Sequence, residues 1–315
     1  MCTRHRDRRE FLVGMGLSAA TLLWSGKLQA ADTQGKEGPH VAINQWSVGA
    51  MRGRDKQRPG MSLDEELAGL AACGINGLEP GLQTPEQAEA LASKLAKHGL
   101  EMRSVYTGSE LLDPAAAEKE IERILALAKH VKAVGTKVIV TNPSPLPNRR
   151  GKTDAQLQAQ AAGLNRLGRE LAALGLTLAY HNHDVELEHA AREFHHMLLA
   201  TEPGCLSLCL DAHWVYRGAG HSQVALFDVV KLYGQRVAEL HLRQSQGNVW
   251  SETFGEGDID YRALWKTLAG NEVEPLLVLE QGPEHGTPQT IEIAEAHRGS
   301  CRYARAIFSS RTPIA

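Results

Sequence analysis

The chain has 315 residues, 43% of them hydrophobic and 23% charged, which is ordinary globular composition with length for one large domain or two small ones. The formal net charge is −3, but residues 1–31 carry five Arg/Lys against two acids, so the remainder carries −6 and offers no basic footprint for nucleic acid. Five cysteines are too few for a disulfide framework, and no CxxC zinc pattern occurs among them.

The N-terminus reads as an address. Residues 1–31 combine a basic start, an apolar run from Phe11 to Trp24 and small residues at Ala30-Ala31, the three-part secretory pattern. Arg8-Arg9 followed by Glu10-Phe11-Leu12 resembles a twin-arginine export signal, with Asp7 where such signals usually carry Ser or Thr. The apolar run is shorter than the ~20 residues of a spanning helix, which disfavours a membrane anchor. The expectation is an exported, periplasmic protein without a stable membrane span once the signal is removed. Export by that route carries folded proteins, often with a cofactor already bound, which is what the resemblance implies.

From residue 32 onward, short apolar runs alternate with longer amphipathic ones. Eight strands are expected, at His40–Trp46, Ile75–Pro80, Leu100–Thr107, Thr136–Pro143, Leu176–His183, Leu206–Trp214, Val237–Ser245 and Pro275–Gly282. The first intervening helix opens with a capping box, Ser62 and Glu65, and closes at Gly74. The next has Thr84 as cap and Pro85 at its first position. Two long amphipathic stretches, 113–135 and 153–175, each end at Gly, and shorter helices are expected at 191–201, 223–233, 260–269 and 288–309. Strands alternating with helices imply a parallel sheet, and eight such units imply closure into a (β/α)8 TIM barrel of usual length ~250 residues. Residues 32–315 are therefore expected to form a single barrel domain. A doubly wound open sheet would carry a glycine-rich phosphate loop after its first strand, and Asn44–Gly53 is not one. Cys205 and Cys209, four apart on an expected strand, stand ~13 Å apart and cannot bridge each other.

In such a barrel the active site lies at the C-terminal strand ends. Strand five ends at His181 and His183, strand six at Asp211 and His213, strand seven at His241, Arg243 and Ser245, and strand eight at Glu280. Residues two apart on a strand share a face, so His181 and His183 point together, as do Asp211 and His213. Two imidazoles and two carboxylates from adjacent strand ends make a divalent-metal shell, with His181, Asp211, His241 and Glu280 as the ligand set. That mixture of nitrogen and oxygen donors suits Mn, Co, Zn or Fe better than Ca or Mg.

The eight units, with YHNHD at 180–184, LDAHW at 210–214, HLRQSQ at 241–246, GEGDIDY at 255–261 and VLEQ at 278–281, resemble the xylose-isomerase-like TIM barrels, often grouped as sugar phosphate isomerases/epimerases. The resemblance spans nearly all of residues 38–308, and YHNH and GEGDIDY are its more specific pieces. The family holds one metal with one residue from each of strands five to eight, commonly Glu, Asp, His and Glu. Carried over by position, these fall on His181, Asp211, His241 and Glu280, with His replacing the first Glu. The epimerases use their two Glu residues as a proton-transferring pair, so opposed-carboxylate epimerisation is in doubt here. Glu280 remains as one acid/base, and His183 or His213 is available as the other.

The expected activity is metal-assisted removal of a proton next to a sugar carbonyl, giving an isomer or epimer. Expulsion of a leaving group instead would make a 3-keto-glycoside lyase, an activity found among members resembling the YHNHD branch. From another class, the chain is read as a catalytically dead sugar-binding protein, against which the intact ligand set argues. Arg243 is a candidate for holding a substrate oxygen, with a surface ion pair as the alternative. Trp46 and Glu79 are candidates to line the sugar pocket, with a core or rim role equally open. GEGDIDY is read as a turn in which Asp258 or Asp260 caps the next helix. The expected partner is a small sugar or keto-glycoside rather than nucleic acid, and homo-oligomerisation is left open.

Overall fold

All eight expected strands form, each shorter than the apolar run that announces it. The computed structural model describes residues 38–54, 61–143 and 145–309, so the expected export signal at 1–31 lies outside the described residues. The strands are β1 (Val41–Asn44), β2 (Gly77–Glu79), β3 (Ser104–Tyr106), β4 (Val138–Thr141), β5 (Thr177–His181), β6 (Ser207–Asp211), β7 (Val237–Leu242) and β8 (Leu276–Leu279). They are parallel and hydrogen-bonded in the order β2-β1-β8-β7-β6-β5-β4-β3. Bridges Gly77–Glu101 and Gly81–Tyr106 bring the two end strands together, giving the eight-stranded barrel with helices outside. Gly77 permits that approach, because a Cβ there would lie 2.5 Å from the Glu101 carbonyl oxygen.

Period-two alternation sorts the side chains into two layers. Outward residues such as Ile43, Leu78, Ile139, Leu178, Leu210, Leu240 and Leu279 pack under the helices in the main core. Inward residues Val138, Val140, Ala179 and Cys209 make a smaller cluster inside the ring. Above them, toward the C-terminal strand ends, the inward positions turn polar: Asn44, Glu79, His181, Asp211, Glu239 and His241 are all buried.

Six of the eight expected helices start within a residue of the expected position, while the one expected at 191 starts at Glu188 and the one expected at 288 starts at Ile293. Ser62 and Glu65 form the capping box of Leu63–Ala72, and Thr153 with Gln156 forms that of Asp154–Ala173. Asp260 caps Tyr261–Gly270, whereas Asp258 accepts from Ser245 Oγ and the Gly247 and Asn248 amides, pinning the ribbon of Ser245–Gln246 and Val249–Trp250. Among the described residues no helix is long and apolar enough to cross a membrane.

Two strand ends depart from the expectation for one physical reason. β1 stops at Asn44 rather than Trp46, because Asn44 Oδ1 accepts the Trp46 amide at 2.7 Å and starts the helix Gln45–Arg52. β6 stops at Asp211 rather than Trp214, because Asp211 Oδ1 accepts the Trp214 amide at 2.9 Å and starts Ala212–Gly218. An Asn or Asp at the last strand position is also a helix N-cap. His213 therefore sits on a helix and does not share the inward face of Asp211. Cys205 lies before β6, and both it and Cys209 are buried free thiols.

Candidate metal centre and substrate cavity

His181 ends β5, Asp211 ends β6, His241 is the fifth residue of β7, and Glu280 follows β8 directly. One donor atom from each lies within 4.8 Å of those of the other three, and all four residues are buried. His241 Nδ1 is 3.1 Å from Glu280 Oε2, and His181 Nε2 is 3.7 Å from Glu280 Oε2 and 3.9 Å from Asp211 Oδ2. Among the described residues, none of His181 Nε2, Asp211 Oδ2, His241 Nδ1 and Glu280 Oε2 has a hydrogen-bond partner of good geometry. Buried polar atoms are costly to leave unpaired. Four of them facing one point, two nitrogens and two oxygens, fit a divalent cation with a mixed donor preference.

The backbone around this group is braced. Asn182 donates from Nδ2 to the Asp211 carbonyl at 3.1 Å and accepts the Asp211 amide on Oδ1 at 3.1 Å, fixing the end of β5 to the end of β6. Arg243, only 1% exposed, places Nη2 2.7 Å from Glu280 Oε2 and 3.6 Å from Asp211 Oδ2. Its guanidinium lies 4.4 Å from the ring centre of Trp250, 4.9 Å from Trp214 and 5.3 Å from Trp46. Among the described residues, Nη1 of Arg243 is buried without a hydrogen-bond partner.

These charges set the protonation states. Burial lifts Asp211 to about 6, with Arg243 opposing. Burial also works against the Glu280 carboxylate, but Arg243 and His241 outweigh it and hold the group well below the usual range. Burial pushes His183 down to about 3, and the adjacent His181 ring adds to the effect. Deeper in the barrel, burial and then Glu79 raise Glu239 to about 8.

An open cavity of about 580 Å³ lies over the group, lined by Asn44, Trp46, Tyr106, His183, Trp214, Arg243 and Glu280 among others. Trp46 is 47% exposed at its rim, despite its size. Its indole is seated on Gly282, where a Cβ would meet Cη2 and Cζ3 at 2.8 Å, and stands edge-on to Trp250 with ring centres 6.1 Å apart.

The structure thus brings His181, Asp211, His241 and Glu280 together, and places His183, Arg243 and Trp46 on the cavity wall. It puts two other candidates elsewhere. Glu79 is fully buried below His241, with Oε2 3.1 Å from His241 Nε2, and does not line the cavity. His213 is fully buried among Trp214, Tyr216 and Trp250, with neither ring nitrogen paired, and burial drives it down to about 2. Sequence reasoning passed over Glu239, although its position two before His241 put it on the same strand face. It also passed over Tyr106, Trp214 and Trp250; Trp250 arrives on a ribbon that no periodicity announces.

Comparison with known proteins agrees with this fold. Inosose dehydratase from Clostridium botulinum is 24% identical over 263 residues, covering 74% of this chain and 86% of that protein. A sugar phosphate isomerase/epimerase structure from Parabacteroides distasonis superposes with TM-score 0.68 at 18% identity, covering 89% of this chain and 98% of the other. The apo structure of 3-keto-D-glucoside 4-epimerase from E. coli gives TM-score 0.62 at 14% identity, covering 85% of this chain and 99% of the other. The family model described as xylose isomerase-like TIM barrel matches residues 67–298, and the chain belongs to that family.

Proposed function

We propose that the chain is a divalent-metal-dependent enzyme that removes a proton next to a sugar carbonyl, with isomerisation or epimerisation as the outcome. The observation that carries this reading is the convergence of four buried donor atoms, one from the end of each of β5 to β8, beneath an open cavity. His181, Asp211, His241 and Glu280 would hold Mn, Co, Zn or Fe. Such an ion supplies a Lewis acid to a carbonyl and its neighbouring hydroxyl, which makes the proton between them removable.

The remaining work falls to the chain's own groups. Arg243 Nη1 faces no protein acceptor and is suited to a substrate oxygen that gains charge as the proton leaves. His183 lines the cavity with its ring centre 4.7 Å from that of His181, and its position makes it the candidate proton acceptor outside the ligand set. Glu280 is the second acid/base, held ionised by Arg243 and His241. Because His181 stands where related epimerases carry Glu, the proton-moving pair is read as Glu280 and His183 rather than two carboxylates.

One observation favours a second reading on the same scaffold, cleavage of a 3-keto-glycoside by β-elimination. The exposed Trp46 at the rim of the cavity offers a stacking platform for an aglycone. Relatives named as a dehydratase and as epimerases support either outcome, since loss of a leaving group and change of configuration share proton removal as a first step. The signal-like residues 1–31 support action outside the cytoplasm.

The test is a time course in D2O with free ketoses and 3-keto-glycosides, using protein loaded with each ion and chelated before proton NMR. Deuterium entering beside the carbonyl with the glycosidic bond intact marks an isomerase or epimerase. Release of free aglycone marks the lyase. Neither change across the panel, with the ion bound, leaves a sugar-binding protein and rejects the enzymatic reading.

A further inference from the structure

His241 meets carboxylates on both edges of its ring. Nδ1 faces the ligand group, 3.1 Å from Glu280 Oε2, while Nε2 points down into the barrel, 3.1 Å from Glu79 Oε2 and 3.2 Å from Glu239 Oε1. Glu79, Glu239 and His241 have no exposed surface. Glu79 Oε2 also accepts from Asn44 Nδ2 at 2.5 Å, which fixes that oxygen beneath the imidazole. Glu239 Oε1 accepts from the Cys209 thiol at 3.6 Å.

We infer that Glu79, with Glu239 beside it, holds Nε2 of His241 from below and so turns its Nδ1 toward the metal group. The inference rests on the functional reading above only in needing an ion there. Neither residue touches the cavity, so both are positioning residues. Their side chains come from β2 and β7, so the pair also locks the tautomer of His241 across the barrel interior.

The test is Mn2+ affinity and stoichiometry of the full chain, by competition with a chromophoric chelator, for wild type, Glu79→Gln, Glu239→Gln and Cys209→Ser. Loss of the carboxylate in Glu79→Gln is expected to weaken Mn2+ about 10- to 100-fold. Glu239→Gln, which keeps one donor and one acceptor, and Cys209→Ser are expected to bind within about threefold of wild type. Equal affinity in Glu79→Gln overturns the inference alone, and absence of binding in wild type overturns the functional reading with it. Two ions per wild-type chain, falling to one in Cys209→Ser, would replace the inference with a second ion shared through His241, since Cys209, Glu239 and His241 also meet within 4.8 Å. Should Glu79→Gln fail to fold, 15N NMR of histidine-labelled, Zn2+-loaded wild type decides. A protonated Nε2 and a zinc-shifted Nδ1 on His241 support the inference, and the opposite pattern overturns it.

Discussion

Arg243 and Glu280 are joined twice, by Nη2 to Oε2 at 2.7 Å and by Nε donating to the Glu280 carbonyl oxygen at 3.0 Å. The guanidinium therefore shares its carboxylate partner with the site where an ion would bind. Replacing it with a neutral side chain removes both a competitor for the ion and a donor for substrate. In Arg243→Met, ion affinity is expected to rise about tenfold while kcat falls about 100-fold, the scale of losing one aimed donor. Arg243→Lys should not rescue kcat, because the stacked, forked geometry needs a guanidinium. Isothermal titration and steady-state kinetics check both.

Each of the four donors is expected to be needed for ion retention. His181→Ala or Glu280→Ala should leave the protein ion-free after dialysis, as read by elemental analysis, and full occupancy in both variants would reject the assignment. His181→Glu makes the donor set richer in oxygen. It should shift preference from Zn2+ toward Mn2+ and Mg2+ by about tenfold, measured by competition between ions.

Trp46 is fixed without being buried. If its face supports a group beyond the reacting sugar, Trp46→Ala should raise KM for 3-keto-glycosides up to about tenfold. It should leave KM for free ketoses, and thermal stability, nearly unchanged. Gly282→Ala removes the seat of the indole and should copy the effect. Equal changes for both substrate types would locate Trp46 outside any subsite.

His297 is buried on the C-terminal helix Ile293–Phe308, and burial lowers it to about 4 from an ordinary 6.5. Below pH 6.5 the unfolded chain takes a proton that the folded chain refuses. Stability is thus intact above pH 6.5 and declines as pH falls toward about 4, by as much as roughly 3 kcal/mol from this group. His297→Leu should flatten the fall of Tm between pH 6.5 and 4, seen by calorimetry as a difference from wild type.

Gly168, within the helix Asp154–Ala173, lies against the loop before β6, where an added Cβ would sit 1.9 Å from the Cys205 carbonyl oxygen. The obstacle is backbone, so the helix itself must move. Gly168→Ala should cost about 3 kcal/mol despite the better helix propensity of Ala, measured by urea denaturation.

Much of this protein is written in local pattern. Apolar runs of strand length, a capping box at Ser62, and glycines closing the helices announce the alternation from which a barrel follows. The ligand group was legible for the same reason. Four successive strands each end in His, Asp or Glu, and parallel strands in a ring must bring those ends to one rim. What sequence could not decide was anything needing two elements at once. Asn44 and Asp211 read as strand residues until their side chains are seen capping helices. Glu79 read equally as a pocket or a core residue until β7 placed His241 above it. His213 read as a base until Trp250 covered it. Spacing along a chain determines which face a side chain takes, but only packing across the barrel determines what that face meets, and protonation follows from those neighbours and from exclusion of water.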